Sequence, residues 1–554
     1  MKKDWLIKTL VIGIIFFFIS SSAIQNSIGN TTYLTKNCER SIYANEKNSV
    51  DQFTQIKADN SIDYSPWPMF GHDAKHTSRS PYSTAGNSLE LKWIFKTTTM
   101  IGTSPIVDNN GTIYFTDWNF LYALNPNGTE KWRLRIADIG STPAIDADGA
   151  IYFGTYYDNY FYAVYPNGTT KWVFEPNYGV QTPPTIGKDG TIYFSTFDEY
   201  GRFYALNPDG TEKWQYDADF FCHQSAVIDD DGIVYFASHF SLYAFYPNGT
   251  LLWRLIIGSG FHWLSTPSIG LDGTIYIAFD FPQYLYAINP NGTIKWKYVF
   301  NETCGQAGAA PSIGEDGTIY FAYKHFYAIY PNGTKKWEFT PDTRFDSYIE
   351  SKANTISADG TIYIVTTDYE DVYLIALNQN GEEIQRSWVS DYIVYSGPVI
   401  APDGTIYVGS WDNDDRGSLS AFGKLDSNAP QAPTISGPKR GKIGEPHDYY
   451  FTSTSPLGKD IYYYIDWDDR SVERWIGPYH SGETINVSHI WKNRGNYVIG
   501  VRVKDTDNLC SSYVEFKVKV TLPRNREIYN SLYLIFLEQL PDAFLIFRYV
   551  IRGR

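Results

Sequence analysis

One short pattern recurs through the middle of this chain and restricts its fold more than any other feature. An Asx-Gly or Asp-Gly turn leads into a β-rich Ile-Tyr or Val-Tyr pair at Gly111, Gly149, Gly190, Gly232, Gly273, Gly317, Gly360 and Gly404, at intervals of 38, 41, 42, 41, 44, 43 and 44 residues. A period near 40 with strand composition indicates propeller blades of four strands each. One unit, Ser104 to Ile136, reads as SPIV, a turn at Asn110-Gly111, TIYF, a loop, LYAL, a turn at Asn127-Gly128, and KWRL. Asn-Gly and Asp-Gly between short β-rich runs are strong hairpin signals, because type I′ turns need positive φ at both central residues.

The tryptophans Trp132, Trp172, Trp214, Trp253, Trp296, Trp337 and Trp388 each close a unit and are expected to dock one blade on the next. Eight hairpins are followed by only seven such strands, since the last unit ends at Ser418 to Phe422. The missing strand is found upstream in Leu89 to Phe95, with Trp93 in the right place. The expected fold is therefore all-β, an eight-bladed propeller whose N-terminal segment supplies the outer strand of the last blade and seals an open edge.

Composition agrees. The 554 residues include 46 Tyr, 33 Phe and 16 Trp but only three Met, a balance suited to strands and aromatic surfaces. The net charge of −15 argues against a nucleic-acid partner, which needs broad basic patches. Four scattered cysteines (Cys38, Cys222, Cys304, Cys510) are too few for a disulfide framework or a zinc site.

The ends speak to compartment. Lys2, Lys3 and Lys8 precede an apolar run, Thr9 to Ser20, and small residues at Ser21 to Ala23, so residues 1–23 read as a signal peptide, with an uncleaved anchor as the alternative. Residues 24–64 are polar and aperiodic, a flexible linker. The propeller is placed at 65–426 and a Pro-rich linker at 427–441, followed by a β-sandwich at 442–522. The tail 523–554 alternates arginines with apolar stretches broken by Glu538, Pro541 and Asp542. It is read either as a peripheral membrane contact or as a helix packed on the sandwich. The protein is thus expected to be secreted and retained at the cell surface.

The units LYALNPNGTEKW (121–132), FYALNPDGTEKW (203–214) and LYAINPNGTIKW (285–296), with the lead-in SPWPMFGHDAKHTSR (65–79), resemble the PQQ-like β-propeller superfamily of quinoprotein dehydrogenases and the outer-membrane assembly propeller. The resemblance implies a propeller over about 65–425. It does not carry a catalytic residue across, because the adjacent cysteines of the dehydrogenases are missing here and no Cys-x-x-Cys-His motif exists. No cofactor and no enzymatic activity are expected. The segments YYYIDWDDRS (462–471) and HIWKNRGNYVIGVRVKDTDN (489–508) resemble a PKD-type immunoglobulin-like module, with Asp468-Asp469-Arg470 where that family has Gly-Asp-Gly. Trp467, Trp491 and Tyr497 are read as its core.

Within each unit the Asx-Gly turns fall on one face and the remaining loops on the other. The second face varies and concentrates acids and aromatics: Asp117 and Trp118, Tyr157 and Asp158, Phe197 and Asp198, His239, Asp280, Asp368, Trp411 and Asp412. Between blades it carries Tyr178, Phe221, His223, His262, Trp263, Tyr348, Tyr392 and Tyr395. Aromatic planes beside carboxylates suit sugar rings, so Trp118, Tyr157, Asp158, Asp198, His239, Trp263, Asp280, Asp368, Trp411 and Asp412 form the candidate site for a glycan or a cell-surface protein. The alternatives are a structural rim, an extracellular enzyme (quinone-dependent or polysaccharide-active) using the same face, and a purely structural envelope protein.

Three further groups invite a functional and a structural reading. The runs Asp229–Asp231 and Asp412–Asp415 are either calcium loops or solvated turns, and lack the spacing of a dedicated calcium loop. His72 and His76 have helical i, i+4 spacing beside Asp73, without an identifiable third ligand. Sequons at Asn30, Asn110, Asn127, Asn167, Asn248, Asn291, Asn301, Asn332 and Asn486 make glycosylation candidates, although turn chemistry alone would select most of them.

Overall fold

A computed structural model describes residues 65–197, 201–218, 221–222, 224–258, 264–280, 283–300, 310–341, 354–368, 371–390, 394, 396–411, 416–469 and 471–522. The expected signal peptide, the linker 24–64 and the tail 523–554 lie outside them.

The described residues form eight four-stranded antiparallel sheets, a three-stranded sheet and a five-stranded sheet. Blade 1 consists of Ile106–Val107, Ile113–Thr116, Phe120–Leu124 and Glu130–Arg135, paired in chain order. Six more sheets repeat this meander. Blade 8 pairs Val399–Ile400, Ile406–Trp411 and Gly417–Gly423 with the upstream strand Glu90–Lys96, so Glu90 sits opposite Gly423 and Trp93 opposite Ala421. The strand expected to seal the last blade does so.

Each innermost strand is only two residues long, and in four blades its ladder is extended by a hydroxyl. Gly154, Ser195, Ala278 and Gly409 donate backbone N–H groups to the side chains of Ser141, Thr182, Ser265 and Ser396, thirteen residues upstream in each case. Other hydroxyls bind blade to blade. Gly397 N–H of blade 8 donates to Ser104 Oγ of blade 1 (2.9 Å), and Ser104 N–H donates to Thr142 Oγ1 of blade 2 (3.1 Å).

Tryptophans hold the outer strands. The Nε1–H groups of Trp93, Trp132, Trp172, Trp214, Trp253 and Trp296 donate to Pro126, Pro166, Pro208, Pro247, Pro290 and Pro331 carbonyls of the next blade at 2.8–3.0 Å. Trp337 donates to Gln379 (2.9 Å). The ring covers the glycine of the turn it reaches. Gly210 has φ +87°, and a Cβ there would stand 2.6 Å from the Trp172 ring. Gly210→Ala is therefore expected to cost about 3 kcal/mol, part backbone strain and part overpacking. Gly86→Ala, at φ +77° with open space around it, carries the strain alone and should cost about 1 kcal/mol. Urea unfolding of both variants measures the difference, and equal costs would refute the ring contact as the cause.

Trp388 departs from the expected role. In blades 1 to 6 and in blade 8 the docking Trp pairs with the alanine of the third strand, but in blade 7 Ala376 pairs with Gln385, and Trp388 lies opposite Tyr373. Blade 8 has no turn for a Trp to reach, because its outer strand comes from far upstream. The Gln385 amide donates instead to the Ser88 carbonyl, and the Trp388 ring lies 5.5 Å from Tyr464 of the sandwich.

The lead-in segment fills the centre of the ring. Trp67 exchanges backbone bonds with Val107, and Ile145, Ile228, Ile269, Ile313 and Ile356 donate to Pro68, Ala74, Lys75, Thr77 and Ser78 carbonyls. Each of these partners ends an innermost strand, so the segment closes the axis at the turn face. His72 and His76 do not lie on a helix. Gly71, His72, His76 and Ser78 all have positive φ, and the chain winds tightly because it must touch six blades within a few residues. His76 is fully buried with its ring edge-on to Phe70, and burial lowers its pKa to about 4.

The stretch expected as a linker is partly sandwich. Thr434–Ser436 pairs with His447–Thr452, and Arg440–Lys442 pairs in parallel with Val514–Thr521. The core holds Trp467 and Trp491, both buried, with the Tyr497 ring stacked 5.5 Å from Trp491. Asp468 adopts φ +59° where a glycine was expected, and its carboxylate accepts the Val498 N–H (2.9 Å). Asp therefore makes the turn through a tolerated left-handed conformation. The sandwich seats on the closing strand: Trp93 bridges to Leu509, and Cys510 N–H donates to the Lys92 carbonyl (2.8 Å). That pairing covers an outer sheet edge.

Candidate functional site

The loop face is built from the turns between second and third strands and from the segments between blades. Main-chain bonds lock these together across blades 1 to 3. Tyr156 N–H donates to Asp138 (2.7 Å), Val180 to Thr155 (2.7 Å) and Phe197 to Gly179 (2.8 Å). Gly179 cannot be larger, since a Cβ would meet the Tyr156 carbonyl at 1.7 Å.

On this frame lies a continuous row of rings. Tyr157 meets Tyr156 edge-on at 4.3 Å between centroids, Tyr156 lies 5.7 Å from Phe197, and Phe197 lies 5.4 Å from Phe221. Phe221 continues to His239 at 6.2 Å, and His239 to Phe240 at 6.3 Å. The row crosses blades 2, 3 and 4. Tyr157 is 66% exposed, whereas Tyr156, Phe197, Phe221 and Phe240 are half-buried. Burial, with Tyr157 beside it, raises the Tyr156 pKa, so its hydroxyl stays protonated and able to donate.

The other candidates distribute unevenly. Asp158 is exposed beside Tyr157, and His239 is buried beneath the rim as part of the row. Trp118 and Trp411 are half-buried at the corresponding corners of blades 1 and 8, outside the row. Asp280 and Asp368 end long second strands, where they pair with Gln283 and Asp371. Asp198, Trp263 and Asp412 lie outside the described residues, as do His223, His262, Tyr348, Tyr392 and Tyr395. Asp117 is a turn cap: it is buried and accepts the N–H groups of Asn119 and Phe120, the Tyr122 hydroxyl (3.0 Å) and the Thr98 hydroxyl (3.2 Å). Tyr156 and Phe240 escaped the sequence reading. Their signal was adjacency to Tyr157 and His239 in the same short turns.

The turn face is chemically settled. Asp108, Asp146 and Asp229 each accept two N–H groups of their own turn and the hydroxyl of Tyr114, Tyr152 or Tyr235. Asp230 pairs with Lys75 (2.6 Å) and Lys188 (3.6 Å), so the acidic run of blade 4 serves a turn and a salt bridge. A shallow hollow of about 240 Å³ lies here between blades 1 and 8, lined by Asn109–Gly111, Pro126, Ala401–Asp403 and Tyr407. Its Asp403 is engaged by Thr405 and Lys92.

Most described sequons point the same way. Asn127, Asn167, Asn291 and Asn332 are exposed, and each accepts a 2.7 Å hydrogen bond from the sequon threonine hydroxyl. Asn248 is exposed and accepts the Thr250 N–H, and Asn110 and Asn486 are also exposed. Turn chemistry accounts for asparagine at the five third-to-fourth-strand turns. Asn30 and Asn301 lie outside the described residues.

Four-stranded repeats, docking tryptophans and Tyr-Ala-Leu strands together define a β-propeller of the PQQ-like repeat class. More particularly, residues 119–260 match the family described as outer membrane protein assembly factor BamB. No curated protein matches the chain. Among solved structures, the PKD domain of an M14-like peptidase from Thermoplasmatales archaeon SCGC AB-540-F20 is 40% identical, covering 18% of this chain and 100% of that one, with a TM-score of 0.17. A Bacteroides caccae protein of unknown function is 15% identical, covering 40% of this chain and 90% of that one, with a TM-score of 0.30. The calcium-binding protein regucalcin from Agrobacterium tumefaciens is 15% identical, covering 44% and 90%, also with a TM-score of 0.30.

Proposed function

We propose that this protein is an exported, surface-retained, non-catalytic binding protein whose propeller offers its loop face to a glycan. The observation that carries this reading is the row of rings from Tyr157 to Phe240, held on a main-chain frame. Sugar rings present C–H faces that stack on such planes and hydroxyls that bond to groups such as Asp158 and the tyrosine hydroxyls. Preformed rings lose little entropy on binding, which favours recognition by a rigid surface.

The test is titration of the full chain against a panel of oligosaccharides and isolated cell-envelope polysaccharide, with product analysis alongside. Tyr157→Ala and Phe221→Ala are expected to weaken binding about tenfold each, the loss of one stacked ring. Binding that is indifferent to both changes, or no binding by the wild type, would remove the glycan reading. Release of shortened sugar would replace it with an enzyme.

A further inference from the structure

Each blade ends in an outer strand on the side wall of the ring, and because these strands share one register, they act as controls for one another. In blade 1 the exposed positions of Glu130–Arg135 are Glu130, Lys131, Arg133 and Arg135. In blade 3 the equivalent positions of Glu212–Asp217 are Glu212, Lys213, Gln215 and Asp217. Charged and polar side chains of this kind keep an edge strand from being buried. Blade 4 breaks the pattern: Leu251–Ile256 places Leu251, Leu252, Arg254 and Ile256 there. In blade 5, Ile294–Val299 opens and closes with an exposed aliphatic residue.

These departures cluster. Eight large aliphatic side chains are exposed on the described propeller; five of them (Leu251, Leu252, Ile256, Ile294 and Val299) lie on the outer strands of blades 4 and 5, and a sixth, Leu271, lies in the first turn of blade 5. The two blades are neighbours, since Trp253 docks on Pro290. The charges on the two outer strands are Arg254, Lys295 and Lys297, all exposed and all cationic, in a chain of net charge −15. Lys295 also reaches Asp272 (2.9 Å), and Arg254 and Lys297 lie over the rings of Tyr243 and Tyr284. Asp230, in the acidic run of blade 4, is engaged by Lys75 at the turn face.

We propose that the side wall of blades 4 and 5 is a membrane-contact surface that seats on a bilayer containing anionic lipid. Aliphatic side chains enter the headgroup boundary while cations among them meet lipid phosphates, the arrangement by which peripheral proteins hold a charged interface. A second copy is the poorer occupant, because a two-fold contact would face Arg254, Lys295 and Lys297 with their own equivalents. The sandwich does not compete for this wall. It seats on blade 8, four docking steps from blade 4 through Trp93, Trp132, Trp172 and Trp214.

Flotation of the full chain with vesicles tests the proposal, comparing pure phosphatidylcholine with equal parts phosphatidylcholine and phosphatidylglycerol. The triple variant Leu251→Glu, Leu252→Lys, Ile256→Asp installs the residues blade 3 carries in the same register, so the edge is one this fold already tolerates. The apolar N-terminal run and the tail are present in both proteins, so their difference reads the wall alone. The triple variant is expected to bind the anionic vesicles at least about tenfold more weakly. A second variant, Arg254→Gln with Lys297→Gln, is expected to lose the preference for phosphatidylglycerol. Unchanged vesicle binding by the triple variant overturns the proposal. So does a wild-type dimer that the triple variant dissolves with no change on vesicles, which would assign the wall to a second copy.

Discussion

Trp93→Ala is expected to destabilise the ring by about 4 kcal/mol, at the upper end of large-to-small core changes. Trp93 is 1% exposed, whereas its counterpart Trp132 is half-buried. The difference arises because Trp93 lies on the closing strand, where the sandwich adds Leu509 and Cys510 to its surroundings. Its ring covers Gly128, and its indole N–H fills the Pro126 carbonyl at 3.0 Å. Removing it opens a cavity where blades 8 and 1 and the sandwich meet. Trp132→Ala, which loses one blade contact and less buried area, is expected to cost about 2 kcal/mol. Midpoints of urea unfolding measure both, and equal costs would show that closure by the upstream strand has no special weight.

His76 is expected to give the protein an acid-sensitive stability. Its folded-state pKa is about 4, lowered by burial and only partly restored by Asp73, against 6.5 when exposed. The unfolded chain therefore binds a proton that the folded chain refuses as pH falls below 6.5. Stability from this group is complete above that value and declines between about pH 6.5 and 4, by up to about 3 kcal/mol, then levels off. His76→Gln removes the titration, so the gap between variant and wild type should change across that window by the same amount. A gap that stays constant from pH 7 to 4 would show that His76 is not held neutral at the axis.

The repeat was readable because its determinants are local. Asx-Gly turns impose positive φ within a few residues of the strands they join, and the Tyr-Ala-Leu strand meets its Trp strand across a turn of similar length. Counting turns against tryptophans was enough to assign Leu89 to Phe95 to the last blade. The same count miscast Trp388, because a hydrophobic residue three positions out of register looks identical in the sequence. Only the pairing of Ala376 with Gln385 reveals the shift. The spacing of His72 and His76 misleads for a related reason: i, i+4 suggests a helix, but the backbone of that segment bonds to six blades instead.

The candidate site was legible as a face and not as an arrangement. Alternation of turns and loops placed Tyr157, His239, Trp118 and Trp411 on one side of the ring. It did not distinguish Tyr157 and His239, which join one row, from Trp118 and Trp411, which stand apart from it. Nor did it show that Asp117 is consumed by its own turn.

By itself, then, the sequence determined the blade unit, the number of its repeats, the donor of the closing strand and the division into two faces, because hydrogen-bonded turns and strand alternation are short-range. Tertiary structure decided the filled axis, the seating of the sandwich on the closing strand, the row of rings and the exposed aliphatic wall. Each depends on groups brought together across tens to hundreds of residues, as when Cys510 of the sandwich meets Lys92 of the closing strand. Local patterning carries no record of such meetings, since loop closure over that span costs entropy that only the assembled ring offsets.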